Sequence, residues 1–215
     1  MSSSIPEGWA EIKLGQIVKL QGGNAFKSSD FKEKGIPIVR ISNIQNNIVD
    51  LSSAVYFEES KHFENFLISN GDILLAMSGA TTGKIGRYRY PFKSYLNQRV
   101  GKFEPSSSLN INYLFYYLKT KVDENLTKAA GAAQPNLSTK QIKELQLVLP
   151  PLPDQERIVA MLDETSETRD SLQSQYQQKN DSLSQLKQSL LQKAFTGELT
   201  ADAKVVDRAL SEASI

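Results

Sequence analysis

Two stretches of the 215-residue sequence, one inside the other, place side chains in patterns that could do chemistry. The shorter, Ser78-Gly-Ala-Thr-Thr-Gly-Lys84, has the look of a phosphate-binding loop but not its spacing. Three residues rather than four separate Gly79 from Gly83, and Ile85 follows Lys84 where a Ser or Thr would hold magnesium. What remains is a run of small residues that lets backbone N–H groups and Lys84 approach an anion, with a tight turn between strands as the equal alternative. The longer stretch runs from 73 to 103. It contains no acidic residue, yet holds Lys84, Arg87, Arg89, Lys93, Arg99 and Lys102. Tyr88, Tyr90, Phe92 and Tyr95 interleave with these charges, and Asn97 and Gln98 add amides able to pair bidentately with adenine. That composition suits nucleic acid; a strand pair with a solvated basic face and buried aromatics explains it equally well.

Other chemistry is excluded or unsupported. The chain has no cysteine and a single histidine, His62, so thiolate metal sites, disulfides and histidine clusters are out. No Ser-His-Asp set, paired-carboxylate spacing or cofactor-binding glycine signature stands out, and the chain reads as non-catalytic, with no metal. The amide-rich segments Gln45-Asn46-Asn47 and Gln134-Pro135-Asn136 read as turns. No apolar run approaches the roughly 18 residues of a membrane span, and residues 1–9 lack a cleavable apolar leader. The expectation is a cytoplasmic protein with no membrane partner.

The elements that must position these residues follow from hydrophobic spacing. Short apolar runs at 17–20, 36–41, 73–77 and 99–103, separated by glycines, read as strands, with a last one at 147–149. Asn110 can cap a helix whose Ile111, Leu114, Phe115 and Leu118 share a face, and Ser138 with Gln141 has capping-box spacing before Ile142 and Leu145. Leu149-Pro-Pro-Leu-Pro153 is a stiff stop that proline permits at a helix start, although Pro150 and Pro153 also have the spacing of a polyproline ligand. A helix from Asp154 to near Phe195 follows, ended by Gly197. Its seam alternates steps of four and three through Ile158, Leu162, Thr165, Arg169, Leu172, Tyr176, Lys179, Leu183, Leu186 and Leu190. Some forty residues span roughly 60 Å, too long to bury against one small domain, so another helix should cover the seam. Charge divides the same way. Residues 1–153 hold 18 basic and 13 acidic side chains (+5), and residues 154–215 hold 7 and 11 (−4).

Several of these pieces occur together in one family. Pro6-Glu-Gly-Trp9 leading to Leu14-Gly15, Gly71-Asp-Ile-Leu74 with Ser78-Gly79, Asn97-Gln98-Arg99, Gln134-Pro-Asn-Leu137, Pro150-Pro-Leu-Pro-Asp-Gln-Glu-Arg-Ile158 and Leu190-Leu-Gln-Lys-Ala-Phe-Thr-Gly-Glu-Leu199 resemble the specificity subunits of type I restriction-modification systems. The resemblance implies an α+β protein: a mixed α/β target recognition domain at 1–150 followed by one long C-terminal coiled-coil helix. It makes 151–199 a conserved-region helix for dimerisation and methyltransferase binding, and leaves 200–215 as a short tail. It further implies double-stranded DNA as ligand and a modification (methyltransferase) subunit as partner, a restriction subunit being a further one. S-adenosylmethionine is then expected on the methyltransferase and no cofactor on this chain. Family members usually carry two recognition domains and two helices; one set of motifs appears here, so the expected assembly is an antiparallel coiled-coil homodimer through Ile158, Leu162, Leu172, Tyr176, Leu183, Leu186 and Leu190, reading an interrupted palindrome. Motifs shared among different specificities belong to scaffold. The base readers are therefore expected between them, around Lys84 to Tyr95 and Asn43 to Asn47, and the candidate DNA contacts are Lys27, Arg40, Asn43, Thr81, Thr82, Lys84, Arg87, Arg89, Lys93 and Gln98. The alternative from another class is a coiled-coil scaffold whose globular domain binds protein; a nucleotide site at 79–84 ranks third.

Overall fold

The computed structural model describes residues 5–79, 81–130 and 138–198, with 122–130 described through their backbone. In chain order the strands are β1 (Ala10–Lys13), β2 (Val18–Gly22), β3 (Ile36–Val39), β4 (Ile44–Gln45), β5 (Asn47–Val49), β6 (Val55–Phe57), β7 (Leu67–Ile68), β8 (Ile73–Ala76), β9 (Ile85–Arg87), β10 (Ser94–Leu96), β11 (Val100–Pro105) and β12 (Gln146–Leu149). The helices are α1 (Ile111–Ala130), α2 (Thr139–Lys143) and α3 (Leu152–Thr196). An α+β globular region followed by one long helix is the observed architecture.

Strand β8 organises the globular unit. Its four apolar residues are all buried, so both faces of the sheet must be covered. Side chains alternate along a strand. Ile73 and Leu75 face a core shared with Phe103, Leu114, Leu118, Ile142 and Leu147, whereas Leu74 and Ala76 face a second core with Val39, Ile44, Ile68, Tyr88 and Leu96. Six strands in the order β2-β11-β8-β9-β5-β4 form the layer between these cores. The four-stranded sheet β6-β3-β10-β7 supplies Val39, Ile68 and Leu96 to the second core, and β1 pairs antiparallel with β12.

Capping fixes the helix starts where the sequence places them. Asn110 Oδ1 accepts the N–H groups of Asn112 (2.8 Å) and Tyr113 (3.2 Å). Ser138 Oγ accepts the Gln141 N–H at 3.2 Å, while Gln141 Oε1 accepts the Ser138 N–H at 2.9 Å. Pro151 carbonyl oxygen opens α3 by accepting from Asp154 and Gln155, with Pro153 in the first turn, where its missing N–H costs nothing. Gly197, at φ +80°, closes it.

The chain divides into two compact units between Ala160 and Met161. The start of α3 belongs to the first unit. Val159 packs there at 6% exposure, and the fully buried Gln155 donates from Nε2 to the carbonyls of Ser108 (3.0 Å) and Pro150 (2.8 Å) and accepts the Asn110 N–H on Oε1 (2.8 Å). In the second unit every described residue from Met161 to Glu198 except Ser166 and Gly197 is exposed. No helix among the described residues is long and apolar enough to cross a membrane.

Candidate nucleic-acid interface

Four connections meet at one end of the six-stranded sheet. Register places Gly22 opposite Gly101 and Ala76 opposite Val100, so β2 and β8 end where β11 begins. Backbone bonds then tie the loops together. Asn24 N–H donates to Leu96 O (2.9 Å), Gln98 N–H to Asn24 O (2.9 Å), Asn97 N–H to Val39 O (3.1 Å) and Met77 N–H to Arg99 O (2.9 Å). Thr81 Oγ1 donates to Ile41 O at 3.0 Å. Residues 22–24, 40–43, 77–79, 81–84 and 97–99 thus form one loop cluster. Gly23 is its tightest point, because a Cβ there would run into the carbonyl groups of Leu96 and Asn97. Gly23→Ala should therefore lower stability by about 2 kcal/mol, read as a lower urea midpoint with an unchanged slope.

Of the expected contact residues, this cluster brings together Arg40, Thr81, Lys84 and Gln98, while Lys27 lies three residues beyond its last backbone tie at Asn24. Lys27 and Gln98 are exposed, as is Arg99; Arg40, Thr81 and Lys84 are half-buried. Lys27 is held out by its neighbour Phe26, whose ring packs on Phe57 (4.9 Å), Phe63 (5.2 Å) and Tyr95 (5.4 Å). Arg40 donates from Nη2 to Ser53 O at 3.1 Å. Its Nε and the Ser78 Oγ are buried with no partner among the described residues.

Asn43 and Thr82 lie in the same loops but do not present their side chains. Each is 1% exposed. Asn43 Oδ1 accepts the Arg40 N–H and its Nδ2 donates to Asp50 O, both at 2.9 Å, so its amide staples the segment. Thr82 Oγ1 donates to Gly79 O at 2.6 Å, closing the glycine turn. Gly79 and Gly83 both have positive φ, near 80° and 85°, so their type is set by the turn.

The basic stretch does not form one patch. Lys84 sits at the loop end, opposite Ala76, but Arg87 pairs with Ile73 at the other end of β8, and Arg89 and Lys93 follow from there. Arg87 Nη1 donates to Asn112 Oδ1 (2.7 Å), and its guanidinium lies 4.3 Å from the Phe115 ring centroid, so it ties β9 to α1. Lys102 pairs with Glu104 at 3.1 Å. The aromatics are chiefly core. Tyr88 and Tyr95 are buried, the former bonded to Ser94 Oγ and Phe92 O, while Phe92 is exposed. Burial pushes the Tyr88 phenol above its usual range, the Ser94 bond opposing it. Burial likewise raises the Asp72 carboxyl against the bond it accepts from Ser69 N–H. Asp50 is held low by the Ser52 N–H and hydroxyl.

The Gln45-Asn46-Asn47 segment is a turn, as its composition suggests. Asn46 and Asn47 have φ of 51° and 63°, joining β4 to β5 as a two-residue hairpin. Gln134, Pro135 and Asn136 lie outside the described residues. Along α3, Leu162, Leu172, Tyr176, Leu183, Leu186 and Leu190 are all exposed, whereas Ile158 is half-buried within the first unit. Thr165 Oγ1 donates back to Met161 O (2.7 Å) and Arg169 pairs with Asp170 (2.7 Å), so two of the three polar seam positions have partners on their own helix. Among the described residues no group of His, Asp or Glu is arranged to hold a metal ion.

Known proteins give this architecture a family. The chain is 27% identical over 205 residues to the StySPI type I restriction enzyme specificity subunit of Salmonella potsdam, covering 91% of this chain and 44% of the relative. With the EcoKI specificity subunit of Escherichia coli K12 it shares 25% identity over 208 residues, 93% of this chain and 45% of the relative. It therefore spans less than half the length of these relatives. Its fold is similar to a chain from a structural study of complex assembly and conformational transition of the type I R-M system (TM-score 0.76, 23% identity, 90% of this chain and 47% of that one). The crystal structure of the HsdS subunit from Thermoanaerobacter tengcongensis is also similar (TM-score 0.62, 22% identity, 78% and 39%). The family model for the type I restriction modification DNA specificity domain matches residues 6–180, from the globular unit well into α3, and the chain belongs to that family.

Proposed function

We propose that the chain is a non-catalytic DNA-reading component of a type I restriction-modification complex, in which residues 1–150 with the first turns of α3 recognise one half of an interrupted site. The observation that carries this reading is the single family match running from the loop-bearing unit into the long helix. At the loop cluster Arg40, Thr81, Lys84 and Gln98, with Arg99, supply cations, a hydroxyl and an amide for phosphate and groove contacts, and the exposed Lys27 adds a further cation. Arg89 and Lys93, at the other end of the sheet, are a separate set that would serve the phosphate backbone at best.

Helix α3, which ends at Thr196, supports an interaction role. Its exposed Leu172, Tyr176, Leu183, Leu186 and Leu190 form a seam that a second copy, running antiparallel, would cover. Partner methyltransferase subunits, carrying S-adenosylmethionine, would methylate adenines in the site, and a restriction subunit would cut unmodified DNA. Co-expression with the cognate methyltransferase and single-base mapping of methylated adenines tests this. One interrupted motif with identical halves is expected. An asymmetric motif overturns the homodimer, and methylation without sequence preference overturns DNA reading.

A further inference from the structure

We infer that the β4–β5 hairpin reads bases, with Gln45 and Ile48 facing one A·T base pair in the major groove of duplex DNA; this rests on the proposed DNA reading and assigns its specificity to two residues. The hairpin has two faces. Ile44 and Val49, a cross-strand pair, are buried at 0% and 4%, while the next pair, Gln45 and Ile48, is exposed. At 45% exposure, Ile48 places a bare aliphatic side chain in solvent directly beside an amide. Neither residue packs inside the unit and neither carries charge, so phosphate attraction does not account for the pair.

Base chemistry does. A side-chain amide pairs with adenine by accepting from N6–H and donating to N7, and an aliphatic group fits the thymine methyl across the same base pair. Gln45 Nε2 gives one hydrogen to Ser42 O at 3.1 Å, which orients the amide and leaves its second hydrogen and Oε1 for a ligand. A two-stranded ribbon is also an element the major groove admits.

The hairpin is rigid enough to read with. Its turn has no slack, since Asn46 and Asn47 both occupy the left-handed region that Asn tolerates better than most residues. Asn43 clamps its base through Arg40 N–H and Asp50 O, and the Asp50 N–H returns a 2.8 Å bond to Asn43 O. Strand β5 continues the six-stranded sheet through β9, where Gly86 gives room: a Cβ there would sit 2.7 Å from Ile48 O. A reader set on a sheet edge in this way holds its geometry better than one on a free loop.

The test uses the full chain co-expressed with its methyltransferase, mapping methylated adenines for the wild type, Gln45→Ala, Gln45→Arg and Ile48→Thr, with thermal melting of each chain as the folding control. Gln45→Ala should weaken discrimination at one base pair in each half-site by roughly tenfold to a hundredfold, and Gln45→Arg should shift that position toward guanine. Ile48→Thr should relax the same base pair. An unchanged motif in all three variants overturns the assignment, as does a uniform loss of methylation at all sites in chains that still fold. A wild type that methylates without preference fails the underlying DNA reading instead, so the two failures are distinct.

Discussion

Replacing Gln155 with alanine should cost the globular unit about 3 to 5 kcal/mol, an unusually large effect for a polar residue. The side chain is fully buried and makes three hydrogen bonds, to Asn110 N–H, Ser108 O and Pro150 O, each between 2.8 and 3.0 Å. These partners belong to the start of α1, the turn before it and the end of β12, which no backbone ladder joins. Truncation strands all three backbone groups and leaves a cavity besides. Gln155→Glu separates the two costs. It keeps the volume but sets a carboxylate oxygen against two carbonyl oxygens, so the introduced carboxyl has a folded pKa above its unfolded value. Protonation then favours the folded state, and the variant should regain stability as pH falls through that folded pKa, whereas Gln155→Ala should not. Urea titrations at neutral and acidic pH check both, and equal pH profiles for the two variants would rule out the hydrogen-bond account.

Gln155 also shows where the sequence stops being readable. It sits inside Pro150-Pro-Leu-Pro-Asp-Gln-Glu-Arg-Ile158, the run that carries the family resemblance, yet spacing alone makes it one more polar residue on a solvated helix. The helices were legible because their signals are local: Asn110, the Ser138–Gln141 pair, Pro153 and Gly197 each act within one turn. Strands β2, β3, β8, β11 and β12 were legible from apolar runs. The two- to four-residue strands β1, β4, β5, β6, β7, β9 and β10 were not, since a segment that short shows no period, and Ser94, Tyr95 and Leu96 are buried on both faces. For the candidate site, composition found the loop at 77–84 but joined it to Arg87, Arg89 and Lys93, which β9 carries to the far end of the sheet. Linear charge density does not register a chain reversal. Asn24 and Ile48 had no signal in sequence, because what singles them out is a backbone bridge and an exposed face.

Inserting seven residues into α3 between Lys179 and Asn180 should lengthen the gap between methylated half-sites and leave each half-site sequence unchanged. The expectation follows from the proposed antiparallel dimer. A heptad keeps Leu172 and Tyr176 in phase with Leu183, Leu186 and Leu190, so the seam survives while each helix grows by about 10 Å. Along B-form DNA that length corresponds to roughly three base pairs, an upper bound, because added base pairs also rotate one half-site about the DNA axis and the assembly must absorb that rotation. A two-residue insertion is the control. It turns the distal leucines by about 200° relative to Leu172, breaks the seam, and should abolish paired methylation rather than re-space it. Recognition by Gln45 and Ile48 is untouched by either insertion, since both belong to the first unit. Mapping methylated adenines distinguishes the outcomes: a changed half-site with the original gap would mean that α3 takes part in reading bases and does not set their separation.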